Sequence, residues 1–138
     1  MPVLEQPWIN RTHLRDNRDW LYLFGDNEVR WGRAGQAKQC RGELNAIGVA
    51  TKQSPYRYWS DKDYDRATAI IQVDLEPAFA CVKNGGTVVI PRDGLGTGLA
   101  ELPTRAPRIF AFLQNKLSEL KAIANTEIAK TEKSHAGA

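Results

Sequence analysis

The chain is poor in the residues that metal and thiol chemistry need. It has two cysteines, Cys40 and Cys81, in unrelated segments, and two histidines, His13 in a polar stretch and His135 near the end. Neither pair has metal-ligand spacing, so a zinc site, a disulfide framework and a histidine-based triad are not expected. The cysteines read as small buried apolar residues and the histidines as surface residues. Long apolar runs are missing too. No stretch approaches the ~20 residues of a membrane span, and Met1-Pro2-Val3-Leu4-Glu5-Gln6 lacks the basic-then-apolar pattern of a signal peptide. A soluble, cytoplasmic protein with no membrane partner, no metal and no cofactor is the expectation. Repeats, heptads and low-complexity linkers are absent.

What remains is an ordinary globular composition. The chain has 138 residues, 42% of them hydrophobic and 25% charged, which fits one domain with one core. A formal charge of +3 and a pI near 9.0 suit an anionic ligand without requiring one.

Strand and helix signals alternate. Trp20-Leu21-Tyr22-Leu23-Phe24 is a continuous apolar run stopped by Gly25-Asp26-Asn27, the pattern of a buried strand ending in a turn. Before it, only Trp8-Ile9 suggests a short strand. Gly32 and Gly35 lead into the helix formers Gln36 to Arg41, closed by Gly42. Asn45 to Lys52 reads as a central strand with Lys52 at its exit, and residues 53–61 as a ring-rich loop. From Asp61 the apolar positions Ala67, Ile71, Leu75, Phe79 and Val82 recur at helical spacing. Pro77 is expected to divide that helix, with Asp74 as N-cap of the second piece. Gly85-Gly86 ends it, and Thr87-Val88-Val89-Ile90 is a β-branched strand running into Pro91-Arg92-Asp93-Gly94-Leu95-Gly96-Thr97-Gly98-Leu99. Thr104 as N-cap and Pro107 in the first turn open a last helix whose apolar face is Ile109, Leu113, Leu117 and Leu120. From Asn125 the apolar stripe is lost and a frayed end is expected. The β-α-β-α-β-α order implies a largely parallel sheet covered by helices, with ligands outside the carboxyl ends of its strands.

Three segments lie at strand exits: Gly25 to Gly35, Lys52, and Asp93 to Leu99. Closely spaced glycines there can turn several backbone N–H groups toward one point, an arrangement that suits a diphosphate. They also serve simply as tight turns. Lys52 reads equally as a strand-capping surface lysine, Asp26-Asn27 as a turn, and Asp93 and Glu101 as solvated or capping carboxylates. Tyr56-Arg57-Tyr58-Trp59 can stack nucleic-acid bases or pack on the core. A dinucleotide-binding fingerprint does not fit, because Thr51-Lys52 stands where an acidic residue is needed, and no Walker A loop is present.

Asn45 to Lys52, Ser54 to Ser60 and Val88 to Phe112 together resemble the macro-domain superfamily, especially its branch of ADP-ribosyl-glycohydrolases with a catalytic lysine. Thr51-Lys52 matches the strand end of that branch, and Gly96-Thr97-Gly98-Leu99 its Gly-x-Gly-Leu loop. Gly25-Asp26-Asn27 and Ala34-Gly35-Gln36-Ala37 look like its asparagine-bearing ligand loop and glycine-rich helix start. Short phage-associated proteins of macro-like type share the layout. The resemblance implies a three-layer α/β fold with a mostly parallel sheet, N-terminally shortened. Residues 1–19 would be an N-terminal extension, 20–124 the nucleotide-binding domain and 125–138 a disordered tail. It further implies ADP-ribose or a related NAD-derived nucleotide as ligand, carried on DNA or protein as acceptor. Asp26, Asn27, Gly32, Gly35, Gln36, Gly94, Gly96, Thr97, Gly98 and Leu99 would hold that ligand, with Asn27 on the distal ribose. Lys52 would attack the anomeric carbon as a neutral amine, which calls for a depressed pKa. Ala100 stands where the branch has its aspartate, leaving Asp93 or Glu101 as acid–base. The alternatives are a non-catalytic nucleotide-binding module and a single-stranded nucleic-acid-binding protein.

Overall fold

The computed structural model describes residues 3–32 and 35–136, with side chains to residue 126. Period-two alternation along the strands sets the architecture. In β2 (Leu21–Asn27), Leu23 faces one side of the sheet with Val49 of β3 (Ala46–Ser54) and with Val88 and Ile90 of β5 (Val88–Pro91). Tyr22, Phe24 and Val89 face the other side. Both faces are apolar, so helices must cover both, and the result is a three-layer α/β fold.

The sheet has five strands in the order β1-β5-β2-β3-β4, where β1 is Val3–Gln6 and β4 is Arg57–Tyr58. All neighbours are parallel except β3 and β4. One face carries α3 (Tyr64–Lys83) and α5 (Pro107–Ala136), whose Ile71, Leu75, Ile109, Leu113 and Leu120 meet the strands. The other carries α1 (Arg11–Asp16) and α2 (Ala37–Cys40). Among the described residues no helix is long and apolar enough to cross a membrane.

Four expectations change. The N-terminal strand is Val3–Gln6, not Trp8-Ile9, and it pairs with β5 from Val3↔Val88 to Gln6↔Pro91. Residues 1–19 are therefore no mere extension: Ile9 and Leu14 are fully buried. The alternation in Val-Leu-Glu-Gln is too short to register as a strand signal alone. Second, Pro77 does not split α3, which is continuous. Pro77 and Val73, whose carbonyl loses its partner, lie on the exposed side, where water can take the carbonyl. Asp74 caps nothing and instead accepts a hydrogen bond from Ala50 N at 2.9 Å. Third, Thr104 lies inside a short helix, α4 (Leu102–Arg105), and the first N–H groups of α5 go to a distant carboxylate. Asp61, in the 3-10 turn Asp61–Asp63, accepts from Arg108 N at 3.1 Å and from Ile109 N at 3.4 Å. Fourth, the stretch expected to fray from Asn125 continues α5 to Ala136. His135 lies outside the described side chains.

Candidate functional site

Chain path creates a crevice. After β2 the chain passes to α2 on one face, and after β5 it passes to α4 and α5 on the other. Adjacent strands whose connections leave in opposite directions open a gap beyond their carboxyl ends, the place where open α/β sheets bind ligands. A cleft of about 300 Å³ lies there, at the lower end of the usual size for small-molecule sites.

Glycines let its walls approach. A Cβ at Gly25 would lie 3.4 Å from Thr51 Oγ1 and 3.9 Å from Gly96 N, so the exits of β2, β3 and β5 meet within one van der Waals layer. Gly96 has φ +80°, and a Cβ there would stand 2.9 Å from Leu102 Cδ2. No other residue fits that position without movement. Gly35, at φ +58°, brings the second loop against Leu99. Gly98 differs, because its missing Cβ would meet nothing within 4 Å; it faces open space.

The loop after β5 is anchored from below and bare above. Leu95 is buried, Gly94 N donates to Pro91 O, Leu102 N donates to Gly96 O, and the Thr97 hydroxyl donates to Asp93 O. None of the backbone N–H groups of residues 95–100 donates to another described residue. Such a run of unpaired donors around a cleft wants an anion or water. Gly35 and Gln36 add little helix dipole to the site, since α2 has four residues and peptide dipoles add up only over longer helices.

Every expected site residue but one lines the cleft: Asp26, Asn27, Gly32, Gly35, Gln36, Lys52, Asp93, Gly94, Gly96, Thr97, Gly98 and Leu99. The exception is Glu101, half-exposed and turned to Arg105 Nε at 2.6 Å. Several side chains are spent locally. Gln36 is zipped to the Ile9 backbone, accepting at 2.9 Å and donating at 2.7 Å. Asn27 donates to Trp31 O at 2.7 Å, so its amide first of all shapes the turn. Asp26 is buried and forked by Arg41, at 2.5 and 3.3 Å. Lys52 follows a bulge in the β2–β3 pairing, an irregularity that re-aims a side chain. Its Nζ donates to Pro55 O at 2.9 Å and lies 4.6 Å from the centre of the Tyr58 ring. The carboxylate of Asp93 is exposed and bonds no described group. Ala100 is buried in the wall. Ala34 lies outside the described residues.

A family model matches residues 4–116. The chain belongs to DUF7831, a family of unknown function. The DUF7831 match begins in β1 and ends in the first turns of α5, so it takes in every loop of the cleft and leaves out most of the last helix. It carries no link to the macro-domain superfamily. No curated protein and no solved structure matches the chain.

Within this DUF7831 chain the cleft also takes in Arg41 and two tryptophans that composition and spacing do not single out. Trp8 and Trp31 stand at the cleft, 52% and 61% exposed, although large rings are usually covered. The sequence signal for Trp31 is its place beside Gly32, a weaker cue than the ring-rich Tyr56–Trp59 stretch. There Trp59 is a core residue, 1% exposed with its indole N–H on Ala50 O at 2.9 Å, and Tyr58 packs under Arg105. Only Tyr56 and Arg57 stay exposed. The cysteines lie away from the cleft; burial pushes the Cys40 thiol up to about 12 and raises that of Cys81.

Proposed function

We propose that this protein binds ADP-ribose or a related NAD-derived nucleotide in the cleft and removes ADP-ribose from a modified acceptor, DNA or protein. One observation carries the reading: the unpaired N–H groups of residues 96–100 border the same cleft as Lys52 and Asp93. A diphosphate on that loop would answer the donors and hold the adjoining sugar beside the lysine. Lys52 as a neutral amine would then attack the anomeric carbon while the acceptor departs with a proton from Asp93. Water returning through Asp93 would release ADP-ribose and regenerate the lysine. Glu101 has no part in this scheme, because its carboxylate is engaged by Arg105.

A non-catalytic binding module is the second reading, and Ala100 favours it. With alanine in the wall and Asp26 neutralised by Arg41, Asp93 is left as the cleft's available carboxylate. Calorimetric titration with free ADP-ribose tests the shared premise. Binding on the micromolar scale, about −8 kcal/mol, is expected, with AMP weaker. No heat and no thermal shift at millimolar ADP-ribose would refute both readings. Release of ADP-ribose from DNA-linked or protein-linked substrates separates the first from the second.

A further inference from the structure

We propose that Arg41 is a phosphate ligand of the cleft, held in position by Asp26. Arg41 immediately follows α2, on the wall opposite the loop after β5. Its guanidinium is fixed on two sides. Nη1 and Nη2 fork the Asp26 carboxylate, at 3.3 and 2.5 Å, and Nε donates to Gly32 O at 2.6 Å. Five N–H bonds radiate from a guanidinium. Those three contacts use three, and no described residue accepts the other two.

The fork itself is built with care. Asp26 can lie flat across β3 only because residue 48 is glycine: a Cβ there would fall 2.3 Å from Asp26 Oδ2. Asp26 Oδ1 also accepts from Asn27 N at 2.8 Å, and Arg30 stands 3.7 Å from Oδ2. The carboxylate is thereby locked, and so is the plane of the guanidinium that grips it. The Arg41 side chain is only 18% exposed, and what is exposed borders the cleft. A largely buried cation with two unanswered N–H bonds beside a cavity calls for an oxygen acceptor. Phosphate matches the planar donor set better than a neutral group does. Asp26, whose oxygens are occupied, is in this account a positioning residue and not itself a contact to the ligand.

The proposal rests on the nucleotide reading for the identity of the whole ligand, so its test uses inorganic pyrophosphate beside ADP-ribose. Arg41→Gln should weaken pyrophosphate by about ten- to a hundredfold, the cost of losing charged hydrogen bonds. Arg41→Lys, which keeps the charge and loses the fork, should fall between. Nitrogen-detected magnetic resonance of the unaltered protein gives a readout that needs no variant: the Arg41 side-chain signals should shift as pyrophosphate saturates. Unmoved Arg41 signals at saturation, or equal pyrophosphate affinity in a folded Arg41→Gln, would overturn the proposal while leaving ADP-ribose binding standing. Pyrophosphate bound through Arg41 with no ADP-ribose binding would keep this proposal and sink the nucleotide reading. Binding of neither probe overturns both.

Discussion

The two faces of the sheet are held by different forces. On the α3 and α5 side one continuous apolar cluster runs from Leu23 and Val49 through Ile71 and Leu75 to Leu113 and Leu120. On the α1 and α2 side the apolar cluster is small, and buried polar groups take over. Glu43 gathers Arg11 at 2.7 Å, Arg15 at 3.2 Å and Arg18 at 2.7 Å. Asn45 Nδ2 donates to the carbonyls of Leu14, Asn17 and Trp20. Gln36 and Gln39 take the backbone of Ile9 and Arg11. The polar side fixes irregular chain, whose carbonyls and N–H groups need directional partners; the apolar side fixes regular helices, which satisfy themselves. The cleft draws Trp8, Gly32, Gly35 and Gln36 from the polar side. Stability and site geometry should therefore be separable by mutation.

The largest effect on stability should come from the apolar face. Leu113→Ala opens a cavity at a fully buried position and should cost about 2–5 kcal/mol in denaturant unfolding. Ligand affinity, measured below the melting temperature, should stay near that of the parent. A loss of affinity comparable to the loss of stability would erase the distinction between the faces.

Glu43→Gln attacks the other face. The guanidinium of Arg11, aided by Arg18 and Arg15, holds the Glu43 carboxyl down at about 2 from an ordinary 4.5. A folded-state pKa below the unfolded one gives stability that is complete above about 4.5 and disappears as pH falls toward 2. The parent should thus lose stability across that window, and Glu43→Gln should lose less of it while starting lower at neutral pH. Because α1 and the Trp8–Ile9 segment hang on this network, ligand affinity should drop more here than in Leu113→Ala. Parallel stability-versus-pH curves for parent and variant would remove Glu43 as the tie.

Gly98→Glu should hardly move stability, within about 0.5 kcal/mol, since its Cβ meets nothing within 4 Å. It should abolish ADP-ribose binding by placing an anion among the bare N–H groups. A folded variant that binds like the parent would reduce the loop to a turn.

Much of this contrast was legible in the sequence, but unevenly. Apolar strands such as Leu21–Phe24 and Val88–Ile90 announce themselves by composition, and the stripe Ile109–Leu113–Leu117–Leu120 by period, because burial acts on each residue locally. The glycine loops were legible for the same reason: tight turns leave a compositional trace. What escaped depended on partners far along the chain. Asp61 caps a helix that begins at Pro107, β1 exists only because β5 lies beside it, and Arg41 joins the cleft only because Asp26 reaches it over Gly48. Asn27, Gln36 and Glu101 carry the right chemistry for a ligand, yet the fold employs their side chains on Trp31, Ile9 and Arg105. Residue type alone gives no hint of such prior engagement.

A modest structural change is predicted for the most consequential chemical one. Lys52→Ala removes a hydrogen bond to Pro55 O and a cation beside the Tyr58 ring, on a partly exposed side chain, contributions of about 1–2 kcal/mol each. The fold should hold, and ADP-ribose should bind within about tenfold, or 1.4 kcal/mol, of the parent, because the diphosphate is assigned to other groups. Release of ADP-ribose from a modified acceptor should nevertheless cease. Lys52→Arg should be as inactive, since a guanidinium retains the charge and cannot act as a nucleophile. Borohydride should trap a ring-opened imine adduct in the parent and in neither variant. Undiminished turnover in both variants would end the lysine mechanism and leave Asp93 activating water as the route. No turnover in the parent, with ADP-ribose still bound, would make the cleft a binding site whose wall carries alanine at residue 100 where a carboxylate would be needed.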